Sequence, residues 1–218
     1  MKSLIITIEG MEQSEAAANS CIKRAKQFDV NVEIQKAVTP EDNPGQLFGD
    51  LGIRSNHFYT DEVYSRRENA MAAFLSHRSC WEVAANSGKS VLVLEHDAYF
   101  LGPIPSEVEH IDAVVNLGKP SYGKYIRPIS LGIGPLTSKR YFPGAHAYAI
   151  GPGAAKKALE MSIDHAAPTD LFFHVDLFGD LLKEYYPWPI EARDSFTTIQ
   201  KDMGCYAKHR YNEGYEIL

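Results

Sequence analysis

The apolar positions of this chain change their spacing several times, and each change predicts an element. Leu4 to Ile8 is a short apolar run that reads as a strand, and after Gly10 the alanine-rich segment from Ser14 to Phe28 reads as a helix. Val30 to Ile34 follows as a second strand, so the chain opens in the strand, helix, strand order of a doubly wound α/β fold. Helical spacing returns from Arg67 to about Asn86 and is stopped by Ser87-Gly88-Lys89. Val91-Leu92-Val93-Leu94 then has no polar member, the pattern of a strand buried on both faces of a mostly parallel sheet. Asp112 to Leu117 and Ala145 to Ile150 are further strand candidates, Gly151-Pro152-Gly153 is a turn, and helices are expected over Ala154 to Ser162 and Asp170 to Tyr185.

Two segments break the pattern. Residues 39–66 hold Pro40, Asn43, Pro44, Gly45, Gly49 and Gly52, and residues 118–144 run from Gly118 through Pro120, Gly123, Pro128, Gly132, Gly134 and Pro135 to Pro143 and Gly144. Long irregular segments inside a compact domain are more often functional than idle, so both are expected to be hinged binding loops, with an ordinary surface excursion as the alternative. The tail around Pro187 and Pro189 carries no repeat or low-complexity run and is expected to wrap the domain as an ordered strap.

With 218 residues and 44% hydrophobic content the chain can bury a substantial core, and one α/β domain over residues 1–218 is expected. The net charge of -6 and pI near 5.7, with scattered Lys and Arg, argue against a nucleic-acid partner. Cys21, Cys80 and Cys205 fit neither a disulfide framework nor a zinc pattern, so reduced thiols are expected. No stretch approaches the ~20 apolar residues of a membrane span, and the first strand is too short and too soon interrupted for a signal peptide. A soluble, cytoplasmic protein without an integral membrane segment follows as the expectation.

The candidate chemistry sits where the buried run ends, at Glu95-His96-Asp97. Ligands collect at the carboxyl ends of strands in open α/β sheets. If the extended conformation continues past Leu94, Glu95 and Asp97 share one side and His96 takes the other. Two hard oxygen donors on one side suit Mn²⁺ or Mg²⁺ carrying a diphosphate, since such ions take one or two carboxylates plus substrate phosphates. A plain polar strand end is the alternative.

Three segments together resemble the family 25 glycosyltransferases, which include lipooligosaccharide and collagen galactosyltransferases. They are Phe74-Leu75-Ser76-His77-Arg78-Ser79-Cys80-Trp81, then Leu94-Glu95-His96-Asp97-Ala98, and then Gly144-Ala145-His146-Ala147-Tyr148-Ala149-Ile150 followed by Gly153 to Leu159, Pro168-Thr169-Asp170 and Thr197-Thr198-Ile199. The resemblance implies a GT-A-like, Rossmann-like nucleotide-sugar-binding domain and a metal-dependent transfer. The donor would be a nucleotide sugar, UDP-linked by expectation, and the acceptor a glycan or other hydroxyl. Two departures stand out: His96 occupies a position that is Asp in the family, and Ala70, Ala72 and Ala73 replace an acid and a glycine-cysteine ahead of Leu75-Ser76-His77. The arginine-rich start after the first strand is also lacking.

On this reading Asp97 holds the metal, with Glu95 supporting it or the ribose, and the metal offsets charge on the leaving phosphate. An inverting transfer needs a carboxylate at the acceptor hydroxyl. Asp170 is the first candidate for that base, because it matches the family's Pro-x-Asp position, although an aspartate beginning a helix is as often a cap. Asp176 and Asp194 are its reserves. Ser76 and His77 would touch the nucleotide, or His77 is a core histidine on an apolar helix stripe. His174, and alternatively His146, would be a third metal ligand, or structural. Trp188 is a packing corner or an acceptor-stacking ring. Two other classes remain open: a metal-dependent phosphohydrolase or nucleotidyltransferase, and a catalytically weak nucleotide-sugar-binding module.

Overall fold

A computed structural model describes residues 1–54, 56–60, 66–121, 123–142, 144–193, 196–199 and 216–217. Asp194 and Cys205 lie outside the described residues. Its centre is a sheet built from β1 (Lys2–Thr7), β2 (Val32–Lys36), β3 (Val91–Glu95), β5 (Val114–Asn116), β6 (Gly132–Pro135), β7 (Ala147–Ile150) and β8 (Leu182–Tyr186), in the order β2-β1-β3-β7-β5-β8-β6. The sheet is mixed. β2, β1, β3, β5 and β8 run one way, while β7 and β6 run against them. β4 (Ala98–Phe100) pairs with β9 (Ile190–Ala192), and β10 (Phe196–Thr197) with β11 (Glu216–Ile217), in two small additions.

Alternation along the central strands divides the core between the two sheet faces. Leu4 and Ile6 of β1, Val91 and Val93 of β3, and Tyr148 and Ile150 of β7 enter one core. Ile5, Leu92, Leu94, Ala147 and Ala149 enter the other. The first core is covered by α4 (Arg67–Ser87) and α5 (Pro152–His165), the second by Ala18, Cys21 and Ala25 of α1 (Glu12–Ala25). Helix α4 ends where the sequence stops it, with Gly88 at φ 66. The edges are unsuited to further pairing: β2 is mostly exposed with charged Glu33 and Lys36, and β6 ends in Pro135.

Two expectations are corrected. Residues 40–54 and 56–60 are largely helical, with a 3-10 turn at Pro40–Asp42, α2 (Pro44–Asp50) and α3 (Asn56–Thr60). The apparent breakers are caps: Thr39 and Asp42 form a capping box, Asn43 accepts from the Gln46 amide, and Pro40 and Pro44 open their turns. Phe48 and Phe58 are buried against Phe74, so this part of the segment belongs to the core. The single helix expected over Asp170 to Tyr185 is instead α6 (Thr169–Phe172), α7 (Val175–Phe178), a 3-10 turn and β8. The cap of α6 at Phe173 and that of α7 at Gly179, which has φ 52, interrupt the helical path, and the chain passes from there into the alternating β8.

Candidate functional site

Strand β1 connects through α1 to β2 on one side, whereas the chain returns through α4 to β3 on the other. Because α1 and α4 lie on opposite faces, the strand order reverses between β1 and β3, and the crevice at their carboxyl ends is the point where open α/β sheets take ligands. Glu95-His96-Asp97 ends β3 at that crevice. Ser14, at the start of α1, ties the two ends together: its hydroxyl accepts from the Ile8 amide at 2.9 Å and is hydrogen-bonded to His96 Nδ1 at 3.1 Å.

A chain of hydrogen bonds supports Glu95 from beneath. Its Oε1 is 3.0 Å from His77 Nε2, His77 Nδ1 is 3.0 Å from the Tyr148 hydroxyl, and the Trp81 indole donates to that hydroxyl at 2.7 Å. Donor logic orders the chain. An ionised carboxylate only accepts, so Nε2–H donates to it, and the other ring nitrogen, Nδ1, is left for its bond with the Tyr148 hydroxyl. His77 and Trp81 come from α4 one turn apart, and Tyr148 reaches them from β7. Burial alone would raise the Glu95 carboxyl, but the hydrogen bond and charge of His77, with the nearby His146 and His96, outweigh it and hold the group below its ordinary value. Glu95 thus stays ionised at neutral pH with its side chain 36% exposed, while His77 is almost wholly enclosed.

The extended conformation ends at Glu95, and His96 and Asp97 form a turn before β4. The premise for a shared face of Glu95 and Asp97 therefore does not hold: the turn replaces strand alternation. Glu95 contacts His77 on α4, whereas Asp97 lies close enough to Cys21 of α1 for its charge to add to the burial that pushes that thiol up to about 12. His96 stacks on Phe196 with ring centroids 5.0 Å apart.

The remaining candidates are distributed around this point. Ser76 is buried, accepting from the Val38 amide at 2.8 Å and donating to the Ala72 carbonyl at 2.9 Å, so its hydroxyl is committed to backbone. His146 is buried in a seat made by glycines. A Cβ on Gly118 would overlap its ring, and one on Gly144 would stand 2.8 Å from Nδ1. Asp170 is inside α6, whose N-cap is Pro168; its carboxylate accepts from the Leu171 amide at 3.1 Å and pulls electrostatically on Lys139, whose ammonium burial holds below the usual lysine value. Helix α6 abuts the Glu95 support through Phe172, stacked on Trp81 at 5.2 Å. His174 instead lines a depression of about 460 Å³ with His57, His165 and Asp176, whose wall includes neither Glu95 nor Asp97. Its Nδ1 accepts from the Asp176 amide at 3.1 Å, and Asp176 pairs with Arg140. Trp188 packs edge-on against Tyr125 and Tyr186.

Ser14 and Tyr148 were not singled out by sequence reasoning. Tyr148 had a signal, since an aromatic with a polar tip inside a buried strand needs a hydrogen-bond partner. Ser14 had only its place at a helix start. Among the described residues no three His, Cys, Asp or Glu side chains gather as a metal cage. An ion that brings phosphates needs less, and the ionised, partly exposed Glu95 supplies one carboxylate of the right chemistry, while Asp97, two residues on in the turn, supplies a second on the side of α1. His174 is not drawn to them. Compared by sequence, the chain matches no protein-family profile and no curated protein.

Proposed function

We propose that the chain is a metal-dependent glycosyltransferase of the GT-A type, moving a sugar from a nucleotide-sugar donor, UDP-linked in the first instance, to a glycan or other hydroxyl acceptor with inversion. The observation that carries this reading is the position of Glu95-His96-Asp97 at the carboxyl end of β3, beside the reversal of strand order. The family 25 resemblance, reached from sequence, falls on the same residues. Mn²⁺ or Mg²⁺, when bound, supplies positive charge opposite the leaving diphosphate. Asp97 and Glu95 are the residues that would hold it, and His77 orients Glu95 for that task. Asp170 takes the acceptor side, where a carboxylate accepts the proton of the attacking hydroxyl.

Calorimetric titration of UDP and UDP-hexoses, first in Mn²⁺ and then in EDTA, tests the donor side. Binding is expected in Mn²⁺, lost in EDTA, and weakened about tenfold or more in Asp97→Asn, the scale of losing a contact to a charged group. Equal affinity in all three conditions would remove Asp97 and the metal from the site. Product analysis with a hydroxyl acceptor tests the transfer: Asp170→Asn should lower turnover about 10²-fold with donor affinity unchanged. Release of free sugar or phosphate at one rate with and without acceptor would mark a hydrolase instead.

A further inference from the structure

The chain carries an excess of negative charge, yet between Asp112 and Glu160 there is no Asp or Glu at all. Within this stretch the loop before β6 turns its apolar side chains outward. Ile126 is 70% exposed, Ile129 100%, Leu131 78% and Tyr125 39%, which accounts for half of the large hydrophobic residues that the described surface exposes. Lys119, Lys124 and Arg127 are exposed among them, and no carboxylate pairs with any of the three among the described residues. Arg140 and Lys139, by contrast, have Asp176 and Asp170 as neighbours. The loop is held at its base. The Ile126 amide donates to the Ser138 carbonyl at 3.0 Å, and the Tyr125 ring meets Trp188 edge-on at 5.7 Å.

We infer that Lys119 and residues 123–131 form a membrane-surface contact, in which Ile126, Ile129 and Leu131 enter the headgroup boundary of an anionic bilayer while Lys119, Lys124 and Arg127 meet its phosphates. The charge pattern selects this occupant. Apolar side chains at a loop tip, flanked by cations and an aromatic with a polar end, match the layering of a bilayer interface from acyl chains to headgroups. A folded protein partner would need about 800 Å² from each side, more than a tip of three apolar side chains supplies. The net charge of -6 does not forbid the approach, because at physiological salt charges are screened beyond about 8 Å and the facing residues decide. No helix among the described residues is long and apolar enough to cross a membrane, so the contact is peripheral. It is independent of the glycosyl-transfer proposal, and its test needs no donor.

Co-sedimentation of the full chain with vesicles of phosphatidylcholine alone, and of an equal mixture with phosphatidylglycerol, tests the inference. Binding is expected to the anionic vesicles, to weaken with added salt, and to fall about fivefold for each charge removed in Lys124→Gln and Arg127→Gln. Ile129→Ser with Leu131→Ser should reduce it about tenfold or more, because insertion follows buried apolar area. These side chains are exposed, so all variants should keep the wild-type unfolding temperature, which separates lost binding from lost fold. Absence of binding to anionic vesicles, or binding to both compositions alike and insensitive to the four substitutions, would overturn the inference. So would a concentration-dependent dimer in sedimentation velocity that Ile129→Ser abolishes, which would assign the loop to a second copy of the chain.

Discussion

Tyr148 is the residue on which most of the candidate site depends, because its wholly buried hydroxyl serves both Trp81 and His77. Tyr148→Phe keeps the ring and strands both neighbours without their partner. A loss of about 2 kcal/mol is expected, the cost of leaving buried polar groups unsatisfied, read in urea unfolding with an unchanged slope. A loss below a few tenths would show that the chain of hydrogen bonds carries no stability. Glu95 makes a pH-dependent contribution whose sign follows from its lowered carboxyl. The unfolded chain binds the proton more readily, so the stabilisation is present above the ordinary glutamate value near about 4.3 and is lost as pH falls through the folded value. Glu95→Gln should therefore cost about 1 kcal/mol at neutral pH, given its partial exposure, and less near about pH 3, below the ordinary glutamate value. Equal penalties at both values would exclude the linkage. The sequence placed His77 on an apolar helix stripe and Glu95 at a strand end. That the two are partners was not legible, because the bond depends on how α4 lies across β3.

Among the elements, α5 shows how a loop far along the chain sets a helix start. Its first free amides, those of Gly153 and Ala154, donate to Asp112 Oδ1 at 2.8 and 3.0 Å, so an aspartate from before β5 performs the work of an N-cap. Asp112→Ala should cost about 1 kcal/mol in thermal or denaturant unfolding, as loss of a cap does. Gly153→Ala tests the same contact from the other side, since its Cβ would overlap the Asp112 carboxylate. It should be destabilising in wild type and less so in Asp112→Ala. Additive losses would mean that the carboxylate and the glycine do not meet. The expected helix began at Ala154; the observed one begins at Pro152, where a proline suits the first turn. Strand β8 falls where Leu177, Phe178, Leu181 and Leu182 also satisfy a helical spacing. Its place between β5 and β6 is set by pairing with Asn116 and Gly134, contacts that no local window contains.

For the whole molecule, the two sheet faces offer a built-in pair of probes. Cys21 is buried in one core and Cys80 in the other, and burial pushes both thiols up to about 12, with the charge of Asp97 adding to Cys21. At pH 8 only about one in 10⁴ of such thiols is ionised, so in a Cys205→Ser chain neither should react with an aromatic disulfide reagent. With rising urea both should become reactive along one curve if the two faces unfold together as one domain. Separate curves would divide the chain into two cooperative units. The sequence by itself determined the α/β class, the buried β1 and β3, the length of α4 and the acidic ending of β3, because periodicity and capping act within a few residues of chain. The tertiary structure alone decided that β7 and β6 run against the rest, that Phe48 and Phe58 belong to the core, and that Glu95 leans on His77 and Tyr148 while Asp97 lies near α1. Those outcomes turn on which surfaces meet after the chain has crossed tens of residues, and burial and hydrogen-bond satisfaction are settled only there.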